Sequence, residues 1–404
     1  MSSEAIAPPP GRAGWGLVWW LSLGQLITWG SLYYSFSLFI APMERELGWT
    51  KAELNGALSL GLLVAGFAAV PIGGWMDRHG GRVSMTLGTV LGGVVLALWA
   101  RVDNLLVFYV LWAAMGVALC TTLYEPAFAV LTANMGGDYR RAILYLTLLG
   151  GYASTVFIPL TEVLIQWLGW RDALLALAVC NLPLCAALHW WILKGTRGGD
   201  QGKARPGPGD RGPLQRALRM PTFWGVLVAF AAYGLTFGAM TFHIIPMLEE
   251  GGMARGTIVA IIAMIGPMQV IGRLMLMMAG DRIDARRTGR IAILCLPAAI
   301  LILVLAPRSP WWLALFACVY GIGNGMMTLS RATVVPEMIS KDGYAVINGA
   351  LTLPTNIIRA VAPAAAATLY VLVGGYGGVL WALFAGGVIG AAAFWAASAS
   401  RPVT

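Results

Sequence analysis

The chain has 404 residues, 58% of them hydrophobic and only 11% charged, with a mean hydropathy of +0.75. A soluble domain carries about 25% charged residues, so a water-soluble enzyme or binding module is excluded. The net charge of +9 would suit nucleic acid if it were clustered, but 18 of the 27 Lys and Arg fall on one side of the apolar runs and six on the other, which is the loop asymmetry of a multi-pass membrane protein.

The apolar runs are about 20 residues long, enough to cross a hydrocarbon core of ~30 Å. They are unbroken rather than alternating, which argues against a β-barrel; helices satisfy their own backbone hydrogen bonds in lipid. Met1 to Gly14 is short, Pro-rich and nearly uncharged, and a full-length apolar run follows it directly, so no cleavable leader is expected. Hydropathy places twelve spans at residues 15–41, 54–75, 83–101, 105–132, 142–167, 172–193, 222–247, 256–279, 290–306, 311–335, 345–372 and 378–397. The expected fold is all-α. The Arg-rich face, with Arg78, Arg82, Arg140, Arg141, Arg282, Arg286, Arg287 and Arg290, should be cytoplasmic together with both termini, in an inner (plasma) membrane. All five cysteines lie inside apolar runs, so buried inert thiols are expected rather than disulfides or a metal site.

Between the second and third spans, residues 73–82 read GGWMDRHGGR, predicting a tight turn with Asp77, Arg78 and Arg82 at the water line. The junction recurs 204 residues later, where Asp281, Arg282 and Arg286 match Asp77, Arg78 and Arg82. At the same spacing Pro42, Met43, Glu46 and Gly48 are echoed by Pro246, Met247, Glu250 and Gly252, and Pro159 by Pro363. The repeat divides the chain into residues 1–193, a linker at 194–221 rich in Gly, Pro, Lys and Arg, and residues 222–404. Two pseudo-symmetric six-helix bundles imply a central cavity and alternating access.

The pattern Gly73-x-x-x-Asp77-Arg78-x-Gly80-x-Arg82 resembles the signature loop of the major facilitator superfamily, with a degenerate second copy that has Asp284 in place of Gly. The resemblance implies that this loop gates conformational change, so Asp77, Arg78, Arg82, Asp281 and Arg282 are gating candidates. Gly14-Trp15-Gly16 and Asp138-Tyr139-Arg140-Arg141 partly match motifs of the monocarboxylate porter and oxalate/formate antiporter branch.

Ionisable groups inside a membrane are costly and usually line a cavity. Arg359 lies about 14 residues from either end of the eleventh span, at 1.5 Å per residue ~21 Å from the cytoplasmic edge and too deep to snorkel. The same branch resemblance implies that Arg359 and Arg273 contact a carboxylate substrate; the competing reading for each is a structural pair. Glu125 and Arg331 fall at matching places in the fourth and tenth spans, 206 apart, and are expected to pair in one access state, with Glu125 the candidate proton site. Glu162 is expected to face the headgroups. Gln25, Thr28, Trp29, Tyr33 and Tyr34 on the first span, with Tyr124 on the fourth, mix aromatic and hydrogen-bonding groups as small-molecule sites do. Tyr33 and Tyr34, adjacent on a helix, should not face one direction.

The expected function is secondary active transport of a small organic anion, a monocarboxylate first, with a proton as candidate coupling ion. The alternative is export of a drug, metabolite or metalloid; Cys120 and Tyr124, four apart on one helical face, would be its soft contact. No Walker-type phosphate loop appears, and the three histidines are scattered, so neither an ATPase nor an enzyme is expected. The expected partners are the substrate, protons and the bilayer, with no cofactor, no metal and no nucleic acid, and the chain acting as a monomer.

Overall fold

A computed structural model of the chain describes residues 12–198, 212–280, 283–305 and 309–399. Among them there is helix and no strand. The first span is α1 (Arg12–Thr28), a π turn (Trp29–Tyr34) and α2 (Phe36–Leu47). The next five are α3 (Lys51–His79), α4 (Gly81–Trp99), α5 with α6 (Leu105–Thr122, Tyr124–Asn134), α7 with α8 (Tyr139–Gly150, Ala153–Leu168) and α9 with α10 (Trp170–Val179, Ala186–Ile192). A short helix, α11 (Pro213–Ala217), precedes α12 (Pro221–Glu250), α13 (Arg255–Ala279), α14 (Ala285–Leu305), α15 (Pro310–Val334), α16 (Tyr344–Val373) and α17 (Tyr376–Ala399). Eleven helical stretches are long and apolar enough to cross a membrane; the segment from α1 to α2, divided by its π turn, is the remaining span of the expected twelve.

Two compact units emerge: Met1–Arg205 with Asp342–Gly349, and Pro206–Lys341 with Ala350–Thr404. Each repeats one packing scheme. In the first, α5 packs on α3 and α4, and α4 packs on α9; in the second, α15 packs on α13 and α14, and α14 on α17. Small residues set these contacts, since helices in lipid associate by close backbone approach. A Cβ on Gly116 would stand 2.2 Å from the Gly61 carbonyl, and one on Gly325 would stand 2.1 Å from the Gln269 carbonyl.

Both repeat motifs perform matching tasks. Glu46, at the end of α2, accepts the indole N–H of Trp170 and the guanidinium of Arg171 at the start of α9. Glu250, at the end of α12, accepts the backbone N–H of Tyr376 at the start of α17. Each glutamate thus clasps the first helix of its half to the last. Arg82 donates from Nε to the Trp190 carbonyl on α10, and Arg286 donates to the Ser398 carbonyl on α17, a second pair of matching ties.

The junction between α3 and α4 differs from the expected exposed turn. Helix α3 runs on through the motif to His79, and Gly80 alone, at φ +82°, makes the link. Arg78 is exposed, but Asp77 is 4% exposed and not at the water line. Its carboxylate accepts the backbone N–H groups of Ala345 and Val346 at 3.0 and 2.9 Å. These are first-turn donors of α16 that no helix can satisfy internally, and their dipole favours an anion.

The linker is likewise more ordered at its ends than its composition suggests. Asn134 pairs with both the N–H and C=O of Arg197, and Ala217 of α11 is 1% exposed. The cysteines are all free, but only Cys185 is buried; Cys120, Cys180, Cys295 and Cys318 are half-buried.

Candidate functional site

In the first unit, the polar and aromatic candidates of the first span meet those of the fourth. The π turn closes with the Ser35 N–H on the Gly30 carbonyl at 3.0 Å, five residues back. That wider turn brings residues i+4 and i+5 onto one side of the helix. Tyr33 and Tyr34 therefore both reach Trp29, with ring centroids 5.3 and 5.7 Å away, against the expectation that they would diverge. Tyr124 closes the group at 4.9 Å from Trp29 and stacks on Phe128. The Trp29 indole nitrogen is buried and has no hydrogen-bond partner among the described residues.

Tyr124 reaches this position because the fourth span breaks. Leu123 is extended (φ −77°, ψ −157°) between α5 and α6. Pro126 has no N–H to offer the Thr122 carbonyl four residues back. The amide of Gln25 donates to that carbonyl at 2.7 Å instead, leaving Gln25 Oε1 buried without a partner among the described residues. Thr28 is buried, and its hydroxyl bonds back to Gly24 of its own helix. The break also separates Cys120 from Tyr124, so the two do not share one continuous helical face. Glu125, half-buried, lies in the first turn of α6, where the helix dipole favours a carboxylate. Glu162 is exposed and accepts the Gln166 amide.

The three intramembrane arginines belong to the second unit, which brings them together. Arg359 lies near the middle of α16, with its guanidinium 4.4 Å from the centroid of Phe237. Arg331, on α15, sits over Phe230 at 5.9 Å. Arg273, on α13, is 6% exposed. All three act electrostatically on the half-buried Tyr233, and Arg359 also acts on Tyr320. Phe230, Tyr233 and Phe237 recur at i, i+3 and i+7, so α12 presents one aromatic face to the cations. Among the described residues Arg359 makes no hydrogen bond or ion pair.

Tyr233, Phe237 and Tyr320 were not legible as site residues. The aromatic spacing on α12 was the available signal, but alone it reads as ordinary helix packing. Asp281 and Arg282 lie outside the described residues.

A model of the Major Facilitator Superfamily matches residues 21–363 of this chain. Monocarboxylate transporter 13 of Bos taurus is 23% identical over 82% of this chain and 77% of its own length. The alpha-ketoglutarate permease of Escherichia coli K12 is 29% identical over 37% of this chain and 35% of its own length. Among solved structures, the E. coli fucose:proton symporter covers 96% of this chain and 100% of its own, with a TM-score of 0.73 at 13% identity. The match over most of the chain, together with the repeated helical units, shows that this multi-pass membrane protein is a transporter rather than an enzyme and belongs to the Major Facilitator Superfamily.

Proposed function

We propose that the protein is a secondary transporter of a small monocarboxylate, driven by a proton and working by alternating access. The observation that carries this reading is Arg359: a guanidinium at mid-helix, resting on Phe237 and making no hydrogen bond or ion pair among the described residues. A charge at that depth is expensive unless it has a function, and a planar guanidinium pairs with a carboxylate through two parallel hydrogen bonds. Arg359 and Arg273 of the second unit bind the carboxylate, and Trp29, Tyr33, Tyr34 and Tyr124 are the substrate-binding aromatics of the first unit. Gln25 offers Oε1 as an acceptor, and Thr28 holds the first span beside it. Glu125 carries the proton, and Arg331 supplies the balancing charge. Asp77, Arg78, Arg82, Asp281 and Arg282 gate the transition, a role that the buried Asp77 bonds to the start of α16 support. Both termini face the cytoplasm of an inner (plasma) membrane, and the chain acts as a monomer. The names of the similar monocarboxylate transporters agree with this substrate class.

The test is uptake of labelled lactate, pyruvate, formate and oxalate into proteoliposomes, with and without an inward proton gradient, for wild type and Arg359→Ala. Gradient-driven uptake of a monocarboxylate that the variant loses is the expected result. Failure to take up any of the four would overturn the reading and leave export of another solute class to be assayed.

A further inference from the structure

His243 lies on α12, six residues beyond Phe237, and is half-buried. Its Nε2 is 2.9 Å from the backbone carbonyl of Pro363 on α16, and its Nδ1 is 2.9 Å from the hydroxyl of Tyr376 on α17. A carbonyl can only accept, so Nε2 carries a proton and donates to Pro363, while Nδ1 shares a hydrogen bond with the Tyr376 hydroxyl. Tyr376 is itself held: its ring packs 4.6 Å from that of Tyr370, and its backbone N–H donates to Glu250. Three helices therefore fix the aim of one imidazole.

Pro363 stands one helical turn beyond Arg359. Lacking an N–H, it leaves the Arg359 carbonyl outside the helical ladder, and α16 is weakened at the turn that bears the guanidinium. Helix α12 braces that turn at three points. Phe237 lies under the guanidinium; Gly238 admits the Arg359 carbonyl, which a Cβ there would meet at 2.5 Å; and His243 donates to the Pro363 carbonyl.

The internal repeat provides a control within the same chain. At the 204-residue spacing, Pro363 corresponds to Pro159 and Glu250 to Glu46. Arg359, His243, Tyr370 and Tyr376 correspond to Thr155, Phe39, Gln166 and Asp172. Phe39 is fully buried against Trp99. The fold thus accommodates a proline at this turn without an imidazole, and the imidazole with its tyrosines occurs in the half that carries the arginine.

We propose that His243 is a positioning residue for Arg359, holding the proline-weakened turn of α16 so that the guanidinium keeps its place over Phe237. The proposal rests on the reading of Arg359 as the carboxylate-binding group. It is tested with His243→Ala, which removes the donor, and His243→Gln, whose side-chain amide can reach the same carbonyl.

Two readouts are taken on each variant: the rate at which phenylglyoxal modifies Arg359, followed by peptide mass spectrometry, and the kinetics of pyruvate uptake in proteoliposomes. His243→Ala should change the Arg359 modification rate at least about threefold and raise the KM for pyruvate about tenfold with maximal rate within about twofold, the pattern of lost binding rather than lost turnover. His243→Gln should return both toward wild type. A wild-type modification rate or an unchanged KM in His243→Ala, or a glutamine variant as impaired as the alanine one, would overturn the proposal. If wild type takes up no pyruvate, the pyruvate-porter reading falls, while the modification rates of Arg359 still decide the role of His243.

Discussion

Gln25→Leu separates a backbone role from a substrate role for this side chain. Gln25 is fully buried, and its amide meets the Thr122 carbonyl at 2.7 Å. Leucine fills nearly the same volume but strands that carbonyl, and an unsatisfied buried acceptor costs about 1–3 kcal/mol. The carbonyl needs an outside donor because residue 126 is proline and has no N–H. Pro126→Ala restores a donor four residues along, so Gln25→Leu should cost about 1 kcal/mol less in that background, a coupling that a double-mutant cycle reads. The assay is reversible unfolding of the micelle-solubilised protein by SDS, comparing wild type, both single variants and the double variant. A cost under about 0.5 kcal/mol for Gln25→Leu, or the same cost with and without Pro126, would refute the reasoning.

Asp77→Asn keeps one acceptor but loses the charge and one of two bonds to the start of α16. At about 1.5–3 kcal/mol for a bond to a charged group, hydrogen exchange at the Ala345 and Val346 amides should accelerate at least tenfold; exchange within about twofold of wild type would count against the capping role. Arg359→Lys keeps the charge but loses the planar fork, so carboxylate uptake should persist with a raised KM, whereas Arg359→Ala should abolish it; equal kinetics for the lysine variant and wild type would exclude bidentate recognition. The carboxyl of Glu46 is held below its ordinary range, first by the Trp170 indole N–H and then by Arg171. A depressed folded-state value adds stability above the unfolded value of ~4.3 and loses it as the pH falls through the lower folded one. The clasp should therefore be intact at neutral pH and weaken only in acid. Thermal melting between pH 6 and 3 should show a steeper acid loss in wild type than in Glu46→Gln, and parallel curves would sink the assignment.

Much of the fold was legible because lipid imposes a simple rule. Runs of apolar residues must be helical, and their length must match the bilayer. The repeat of Glu46 at Glu250 and of Arg82 at Arg286 marked real counterparts, since each pair ties the same two spans of its half. Arg359 and Arg273 stood out because charge inside an apolar run is conspicuous. The neutral members of the cluster did not. Tyr233 on α12 and Tyr320 on α15 look like packing aromatics until the fold places Tyr233 in the field of Arg273, Arg331 and Arg359, and Tyr320 in that of Arg359.

Local backbone departures were the other blind spot. The π turn that gathers Tyr33 and Tyr34 onto Trp29 and the break at Leu123 both defeat arguments from 3.6-residue spacing. Neither leaves a clear mark in composition, although Pro126 hinted at the second. By itself the sequence determined a twelve-span helical transporter built as a repeat, because hydropathy and charge are summed locally along the chain. Tertiary structure alone decided that Asp77 caps a distant helix, that Gln25 serves a carbonyl orphaned by a proline, and that His243 reaches the turn carrying Arg359. Those are hydrogen bonds between residues about 100 or more positions apart, whose partners are chosen by how helices pack and not by their spacing in the chain.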